Sequence, residues 1–309
     1  MTLQQLEYII ALDTYRHFVT AADKCYVTQP TLTMQVKKLE DEIGIQIFDR
    51  SKKPLTPTKA GERIVQKARD IIRDVEQLKD LVSSEKDDLS GTYRLGIIPT
   101  LAPYLIPLFL PYFKKHFPET KLIIRELQTL NIIKALKKDE LDVGLVVTPL
   151  DELSLNETPI FYEPFLLFHP EGHHLSGQQK VNSSQLNGSE LLLLEEGHCF
   201  RNQALNVCGK NEATQFEGFQ YKSGSIETLK NMAKKGLGYT LVPELSIDIN
   251  VEGKWLKRFE KPEPVREVSL VTHKSFNKKL LVNALHDSIL EMVPKNFKKL
   301  ERFKRIKWR

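Results

Sequence analysis

The sequence predicts an α/β protein assembled from a small helical head, one long helix and a larger two-lobed α/β body. Three observations carry this. Residues 1–62 give three short helical periodicities followed by two strand-like runs around a basic turn. From Thr58 to about Lys86, Ile64, Ala68, Ile71, Val75, Leu78 and Val82 recur in alternating steps of four and three. Beyond Gly91, strand-like apolar runs alternate with helical ones, the pattern of parallel strands joined by helical crossovers. At 309 residues the chain exceeds one small core and divides into two or three units.

In the head, Leu3, Leu6, Ile9 or Ile10, and Leu12 line one face of a helix over residues 3–15. A second helix covers 18–25, where Phe18, Ala21, Ala22 and Cys25 share a face, so Cys25 is expected to be structural. Thr28 caps a third helix with Pro30 in its first turn, and Leu32, Val36, Leu39 and Ile43 form its inward stripe. The opposite face carries Thr31, Thr33, Met34, Gln35, Lys37 and Lys38. Two short helices joined by a tight turn, the second bearing such a face, match helix-turn-helix docking in a major groove. An ordinary solvated helix would carry the same residues. Gly44 ends this helix, and residues 45–56 read as two short strands around Arg50-Ser51-Lys52-Lys53-Pro54, a wing able to reach phosphates.

Residues 1–62 resemble the winged helix-turn-helix of LysR-type regulators. The resemblance rests on Phe18-x-x-Ala21-Ala22, Thr28-Gln29-Pro30-Thr31-Leu32-Thr33, Leu39-Glu40-x-x-Ile43-Gly44, Phe48-x-Arg50 and Leu55-Thr56-x-Thr58-x-Ala60-Gly61. It implies that Gln29, Pro30, Thr31, Thr33 and Gln35 enter the groove of double-stranded promoter DNA, while Lys37, Arg50 and Lys53 meet its backbone.

The long helix, residues 58–90 with its hinge, carries a heptad seam. Arg63, Lys67, Arg69, Asp70, Arg73, Asp74 and Lys79 occupy its other faces, so it wants one partner. The direct reading is a coiled-coil homodimer; packing against its own head is the alternative. Residues 87–91 form the hinge. The body, residues 91–295, then shows strands at 93–98, 121–127 and 141–147 with helices at 104–117 and 131–138 between them. A second unit begins near Phe165 and includes a helix at 225–235 and a strand at 239–242. A strand returns at 268–272, and a helix at 277–292 closes the body. Ligands of such sheets bind beyond the strand C-termini. Thr100 and Thr129 follow strands and reach that crevice, or else cap the helices after them.

Two of the three cysteines lie in Glu196-Gly197-His198-Cys199-Phe200-Arg201-Asn202-Gln203-Ala204-Leu205-Asn206-Val207-Cys208. Thiolate is the reactive form of cysteine, and it needs positive potential to form near neutrality. His198, Arg201 and the N-terminus of a helix over 201–208 are candidates to supply it at Cys199; Glu195 and Glu196 oppose it. If residues 199–208 are helical, a rise of 1.5 Å per residue sets the two cysteines about 13 Å apart, whereas a disulfide tolerates about 7 Å. Joining them would require this segment to unwind. The same pair could equally be two buried small apolar residues. The spacing suits zinc poorly, so no metal and no cofactor is expected.

This run resembles the redox centre of the peroxide-sensing OxyR-type group of the LysR family, with Asn202 as a departure where relatives often carry an acid. The body likewise resembles that family's periplasmic-binding-protein-like effector domain. In the group, Ile98-Pro99-Thr100-x-x-Pro103-Tyr104 and Glu126-x-Gln128-Thr129 hold hydrogen peroxide. The resemblance implies that Cys199 is oxidised to a sulfenic acid and that Cys208 resolves it to a disulfide. It further implies a transcription factor and not an enzyme, dimeric through the linker helix and assembled as a homotetramer. RNA polymerase would be a further partner, and thioredoxin or glutaredoxin the reductant. Two rivals are a LysR-type regulator of a small metabolite with inert cysteines, and a thiol peroxidase.

Three cysteines, an odd number, favour a reducing, cytoplasmic compartment. Glu7, Asp13 and Arg16 interrupt any N-terminal apolar run, and the uncharged stretch 101–113 is shorter than the roughly 20 residues of a membrane helix. No membrane partner is expected. The net charge of +5 is concentrated at the end of the chain, where residues 295–309 carry eight Lys or Arg against one Glu. The tail, 296–309, reads as a solvated basic end.

Overall fold

The computed structural model describes residues 1–83, 89–186, 188–209, 224–298 and 303–307. The chain forms two compact units, Met1–Asp88 with Ser275–Asn277, and Leu89–Lys274 with Lys278–Arg309.

In the first unit α1 (Leu3–Tyr15) starts at a capping box, the Thr2 hydroxyl accepting from the Gln5 amide while Gln5 reaches back to Thr2. It packs with α2 (Phe18–Lys24) and α3 (Gln29–Ile43) around Leu6, Ile9, Leu12, Ala21, Ala22, Leu32, Val36 and Leu39. Thr28 caps α3, and Gly44 ends it in the left-handed region at φ +69°. The wing is a two-stranded antiparallel ribbon, β1 (Phe48–Asp49) against β2 (Thr56–Pro57). Next begins α4 (Lys59–Ser83), in which a Cβ on Gly61 would lie 1.9 Å from the Ile47 carbonyl oxygen. Only glycine lets the helix approach the wing so closely.

The heptad stripe on α4 divides in two. Val65 and Ala68 are buried in the head's own core, with Ile64, Ile71 and Ile72 packed against it. Arg69, 2% exposed, donates to Asp13 at 3.0 Å and Thr14 at 3.2 Å. This corrects the expectation of one continuous dimer seam: Ile64, Val65, Ala68, Ile71 and Ile72 make the broad stripe of a core-facing helix, and α1 covers it. Farther along, Val75 is half-buried and Leu78 is 66% exposed. The side chain of Val82 and the hinge residues Asp87 and Asp88 lie outside the described residues.

The second unit opens with β3 (Gly91–Ile97), α5 (Ala102–His116), β4 (Thr120–Glu126), α6 (Thr129–Lys137) and β5 (Val143–Thr148). β3 pairs in parallel with β4 on one side and β5 on the other, as alternating strands and helices require. Two long strands obey a different rule. β6 (Leu155–Phe168) and β10 (Glu263–His273) are antiparallel to each other, and β10 is antiparallel to β5. The sheet is therefore mixed where parallel pairing was expected. β6 also spans both lobes: its first part pairs with β10, Phe165–Phe168 pair with β8 (Thr240–Pro243), and residues 166–168 pair with β9 (Leu256–Phe259). β7 (Lys180–Val181), α7 (Cys199–Cys208), α8 (Ile226–Lys234) and the short α9 (Ile249–Glu252) complete the second lobe, and α10 (Lys279–Met292) comes after β10.

The basic tail departs from the solvated end expected of it. Its described part forms β11 (Phe303–Arg305), parallel to the start of β10, and Ile306 is buried in the second lobe's core. Among the described residues no helix is long and apolar enough to cross a membrane.

Candidate functional site

α7 starts at Cys199 and ends at Cys208, so the helix encloses both thiols and begins two residues before the sequence suggests. Gly197 at φ +95° turns the chain into it, and a Cβ there would meet the Gln128 amide at 2.9 Å. Gly209 at φ +63° closes it. Both cysteines are free and buried. With the whole segment helical, the Cα atoms at its ends lie about 13 Å apart.

The surroundings of Cys199 come from both lobes. Arg266 on β10 stands directly across from Glu163 on β6. Both side chains are fully buried, with guanidinium nitrogens 2.8 and 2.7 Å from Glu163 Oε2. Arg266 also donates to the Thr100 hydroxyl at 3.0 Å and to its carbonyl at 3.1 Å, and lies over the Phe200 ring at 5.5 Å. The other Glu163 oxygen accepts the Leu245 amide at 2.9 Å. One buried ion pair, satisfied on both sides, thus sits under the start of α7 and holds Thr100 by hydroxyl and carbonyl.

Neither threonine is a cap: the N-caps of α5 and α6 are Leu101 and Gln128, without side-chain cap bonds. Thr129 opens α6 and its hydroxyl is buried without a well-formed hydrogen bond. Its nearness to the Cys199 sulfur favours the thiolate. Burial, the largest influence, pushes the Cys199 thiol up; the Arg266 charge, the Thr129 hydroxyl and the Phe200 amide pull the other way. The thiol therefore rests protonated near neutrality.

Two residues expected to favour the thiolate have contacts of their own. The cation facing Cys199 is Arg266, not Arg201, whose guanidinium donates to the Leu194 carbonyl at 2.9 Å and ties down the loop before α7. His198 is buried, 3.7 Å from the Glu195 carboxylate, and its ring leaves no room for a Cβ at Gly224, which would come within 2.7 Å. No sequence signal singles out Arg266 and Glu163, because β10 also carries Glu263 and Glu267 and β6 also carries Glu157.

Cys208 occupies different surroundings, the apolar core of the second lobe among Phe200, Ala204, Val207 and Ile226. The Tyr239 hydroxyl is hydrogen-bonded to it, and burial together with this contact raises the tyrosine's pKa. Tyr239 lies edge-on to His173 at 5.8 Å. Among the described residues one set with metal-ligand chemistry converges, His173, His174 and Glu190. Its geometry argues against a metal. The Leu175 amide donates to His173 Nδ1 at 3.3 Å, which leaves the proton on Nε2, 3.2 Å from Glu190. A metal would need that nitrogen bare.

On the first unit, Gln29, Pro30, Lys37 and Lys53 are exposed and Thr31 and Thr33 half-exposed. The Thr31 hydroxyl is 2.8 Å from that of Thr28, and Thr33 donates to the Gln29 carbonyl at 2.8 Å. Two of the expected contact residues have structural duties. Gln35 accepts from Gln5 at 3.1 Å, joining α3 to α1. Arg50 pairs with Glu40 at 2.8 Å and lies 5.8 Å over the Phe18 ring, while Glu40 also accepts the Ile47 and Phe48 amides. The Arg50 charge is thus largely neutralised by the link between α3 and the wing.

Comparison with known proteins gives concordant results. The LysR substrate binding domain matches residues 86–294, and the bacterial regulatory helix-turn-helix protein, lysR family, matches residues 3–62. The chain is 39% identical over 273 residues to the hydrogen peroxide-inducible genes activator of Haemophilus influenzae, covering 88% of this chain and 90% of that one. It is similar to a full-length OxyR variant from Pseudomonas aeruginosa, with a TM-score of 0.81, 35% identity and 94% of each chain covered. A hydrogen-peroxide-bound OxyR mutant from Corynebacterium glutamicum gives a TM-score of 0.62 at 27% identity, covering 94% of this chain and 92% of that one.

Proposed function

Because this chain belongs to the LysR family of bacterial helix-turn-helix regulators, we propose that its buried thiol pair makes it a peroxide-sensing transcription factor of the OxyR type. One observation carries the reading most: Cys199 is buried at the start of a helix beside Thr129 and Arg266, which in turn holds Thr100, and Cys208 ends the same helix. A buried thiol of raised pKa is shielded from bulky electrophiles, so the site suits a small oxidant.

The Cys199 thiolate attacks one peroxide oxygen, the O–O bond breaks, and the departing hydroxide takes a proton to leave as water. Sulfur is oxidised by two electrons to the sulfenic acid. Arg266 supplies the positive potential at the sulfur, and the two threonine hydroxyls orient the oxidant. The Cys208 thiol then attacks the sulfenic sulfur, a second water leaves, and the disulfide forms. A dithiol protein of the thioredoxin or glutaredoxin class returns two electrons. The decisive measurement is a thiol count before and after one equivalent of peroxide with the cross-link mapped. Loss of two thiols without a Cys199–Cys208 bond would overturn the reading.

The raised Cys199 thiol sets a pH dependence. Below its pKa the thiolate fraction grows tenfold per unit, so sulfenic acid formation in a Cys208→Ser protein is expected to accelerate about tenfold from pH 6.5 to 7.5 and again to 8.5. A rate that levels off near neutrality would show that Arg266 outweighs burial.

Gln29, Pro30, Thr31 and Thr33 on α3 are the residues proposed to enter the DNA groove, with Gln35 contributing only its remaining amide donors. Lys37 and Lys53 are proposed to meet phosphates. Lys37→Ala should lower the salt slope of binding by about one ion and leave base preference unchanged. A changed preference at an unchanged slope would contradict this docking. Dimerisation is assigned to the distal half of α4, where Leu78 remains exposed. Leu78→Glu or Val75→Glu is expected to give a folded monomer by sedimentation, with binding to a two-half-site operator lost. Ile71→Glu would instead disturb the head core. A dimer that persists in both variants would remove the assignment. Tetramer formation, contact with RNA polymerase and a cytoplasmic location complete the proposal.

A further inference from the structure

The switch leaves the end of the chain unexplained, and the structure binds that end directly to the redox helix. Two side chains of α7, three residues apart on one face, donate to neighbouring tail carbonyls: Gln203 Nε2 to Ile306 at 2.9 Å and Asn206 Nδ2 to Lys307 at 2.8 Å. Ile306 is 7% exposed and belongs to the same apolar cluster as Phe200, Ala204, Val207 and Cys208. On its other side the tail is anchored to the sheet. Phe303, Lys304 and Arg305 pair with Glu263, Pro264 and Val265, the Ile306 amide donates to Val265 at 2.9 Å, and Arg305 meets both oxygens of Glu267 at 3.0 and 2.9 Å.

We propose that the C-terminal strand is a strap which recognises α7 only in its helical, reduced form and so sets the oxidation threshold of the switch, with Gln203 and Asn206 as positioning residues. The proposal rests on the Cys199–Cys208 reading. Gln203 and Asn206 reach neighbouring carbonyls because one helical turn sets them side by side. Closing a disulfide between helix ends about 13 Å apart breaks that turn and removes both donors together. The coupling is reciprocal by linkage: whatever docking the strap gains from the reduced helix, the reduced helix gains from the strap. A cavity of about 170 Å³ lined by Asn206, Val207, Lys304, Ile306 and Pro262 leaves the strap unpacked along that edge, so what holds it there is its pairing with β10 and the two donors of α7.

The test uses the full chain, a chain ending at residue 302, and Asn206→Ser, a residue of similar helix propensity that cannot bridge the distance. Each is equilibrated in mixtures of reduced and oxidised dithiothreitol and scored for the disulfide. Without the strap the reduced form loses support, so the equilibrium is expected to move towards disulfide by about tenfold in the shortened chain, which is a potential about 30 mV more negative. Asn206→Ser should move it the same way by about fivefold, the worth of one hydrogen bond. In the full chain, trypsin should cut after Lys304 and Arg305 several-fold faster in the oxidised form. If the disulfide forms at an unchanged potential in Asn206→Ser and trypsin cuts both forms alike, the strap is refuted and the switch stands. If no Cys199–Cys208 disulfide forms in the full chain, both fall. Asn206 is solvent-accessible, so its substitution remains informative if the shortened chain fails to fold.

Discussion

Replacing Cys199 by serine is expected to abolish the peroxide response outright, whereas Cys208→Ser should still form sulfenic acid rapidly at Cys199 and fail to hold the activated state. The asymmetry arises from the two environments: Cys199 faces Arg266 and Thr129, and Cys208 lies in an apolar core with Tyr239 on its sulfur. Trapping the sulfenic acid with a cyclic diketone and mass spectrometry of the adduct separate the two steps. The energy available from the disulfide limits how stable the reduced helix can be. A bond closing so short a loop contributes about 3 kcal/mol or less in chain entropy, a bias of about a hundredfold in a two-state equilibrium. The reduced arrangement of α7 must therefore be favoured only modestly, and oxidation should melt it. Hydrogen exchange over residues 199–209, the described part of the 199–215 segment, gives the readout. Protection that stays the same after the bond forms would refute a conformational switch.

Arg266→Met should produce the second large effect, on stability and reactivity together. Removing one partner of a fully buried pair leaves the Glu163 carboxylate uncompensated, at a cost of about 3–5 kcal/mol. The same change takes the positive charge from Cys199 and both donors from Thr100, so sulfenic acid formation should slow by about a hundredfold or more. The double variant Arg266→Met with Glu163→Leu separates the two roles. Replacing the whole ion pair by apolar groups should restore most of the stability, read by denaturant unfolding, and none of the rate. Recovery of the rate in the double variant would mean that Arg266 acts only by holding the fold.

Features set by short-range interactions are legible in the sequence. Thr28 before Pro30 and Gly44 after the inward stripe of α3 act through their immediate chain neighbours, and the structure places each where the local pattern requires. The helix between the cysteines belongs to the same class. The separation of the thiols, and with it the argument that a disulfide must be a conformational event, depends only on the rise per residue. The α4 stripe is a partial case. Its period is legible, but period alone does not say whether α1 or a second chain covers a given turn.

The sequence by itself thus determined the family through its motifs, and the capped α3 and the separation of the two thiols through interactions within a few residues. Tertiary structure alone decided which groups surround the sulfur. Arg201, two residues along, looked the natural cation, yet it is turned onto the Leu194 carbonyl, while Arg266 arrives through the pairing of β10 with β6. It alone showed that burial outweighs the favourable charges and raises the Cys199 thiol. It also turned a basic tail into a strand whose carbonyls are held by α7. Desolvation and Coulomb terms depend on distances between segments far apart in the chain, and those distances exist only once the sheet has chosen its strand order.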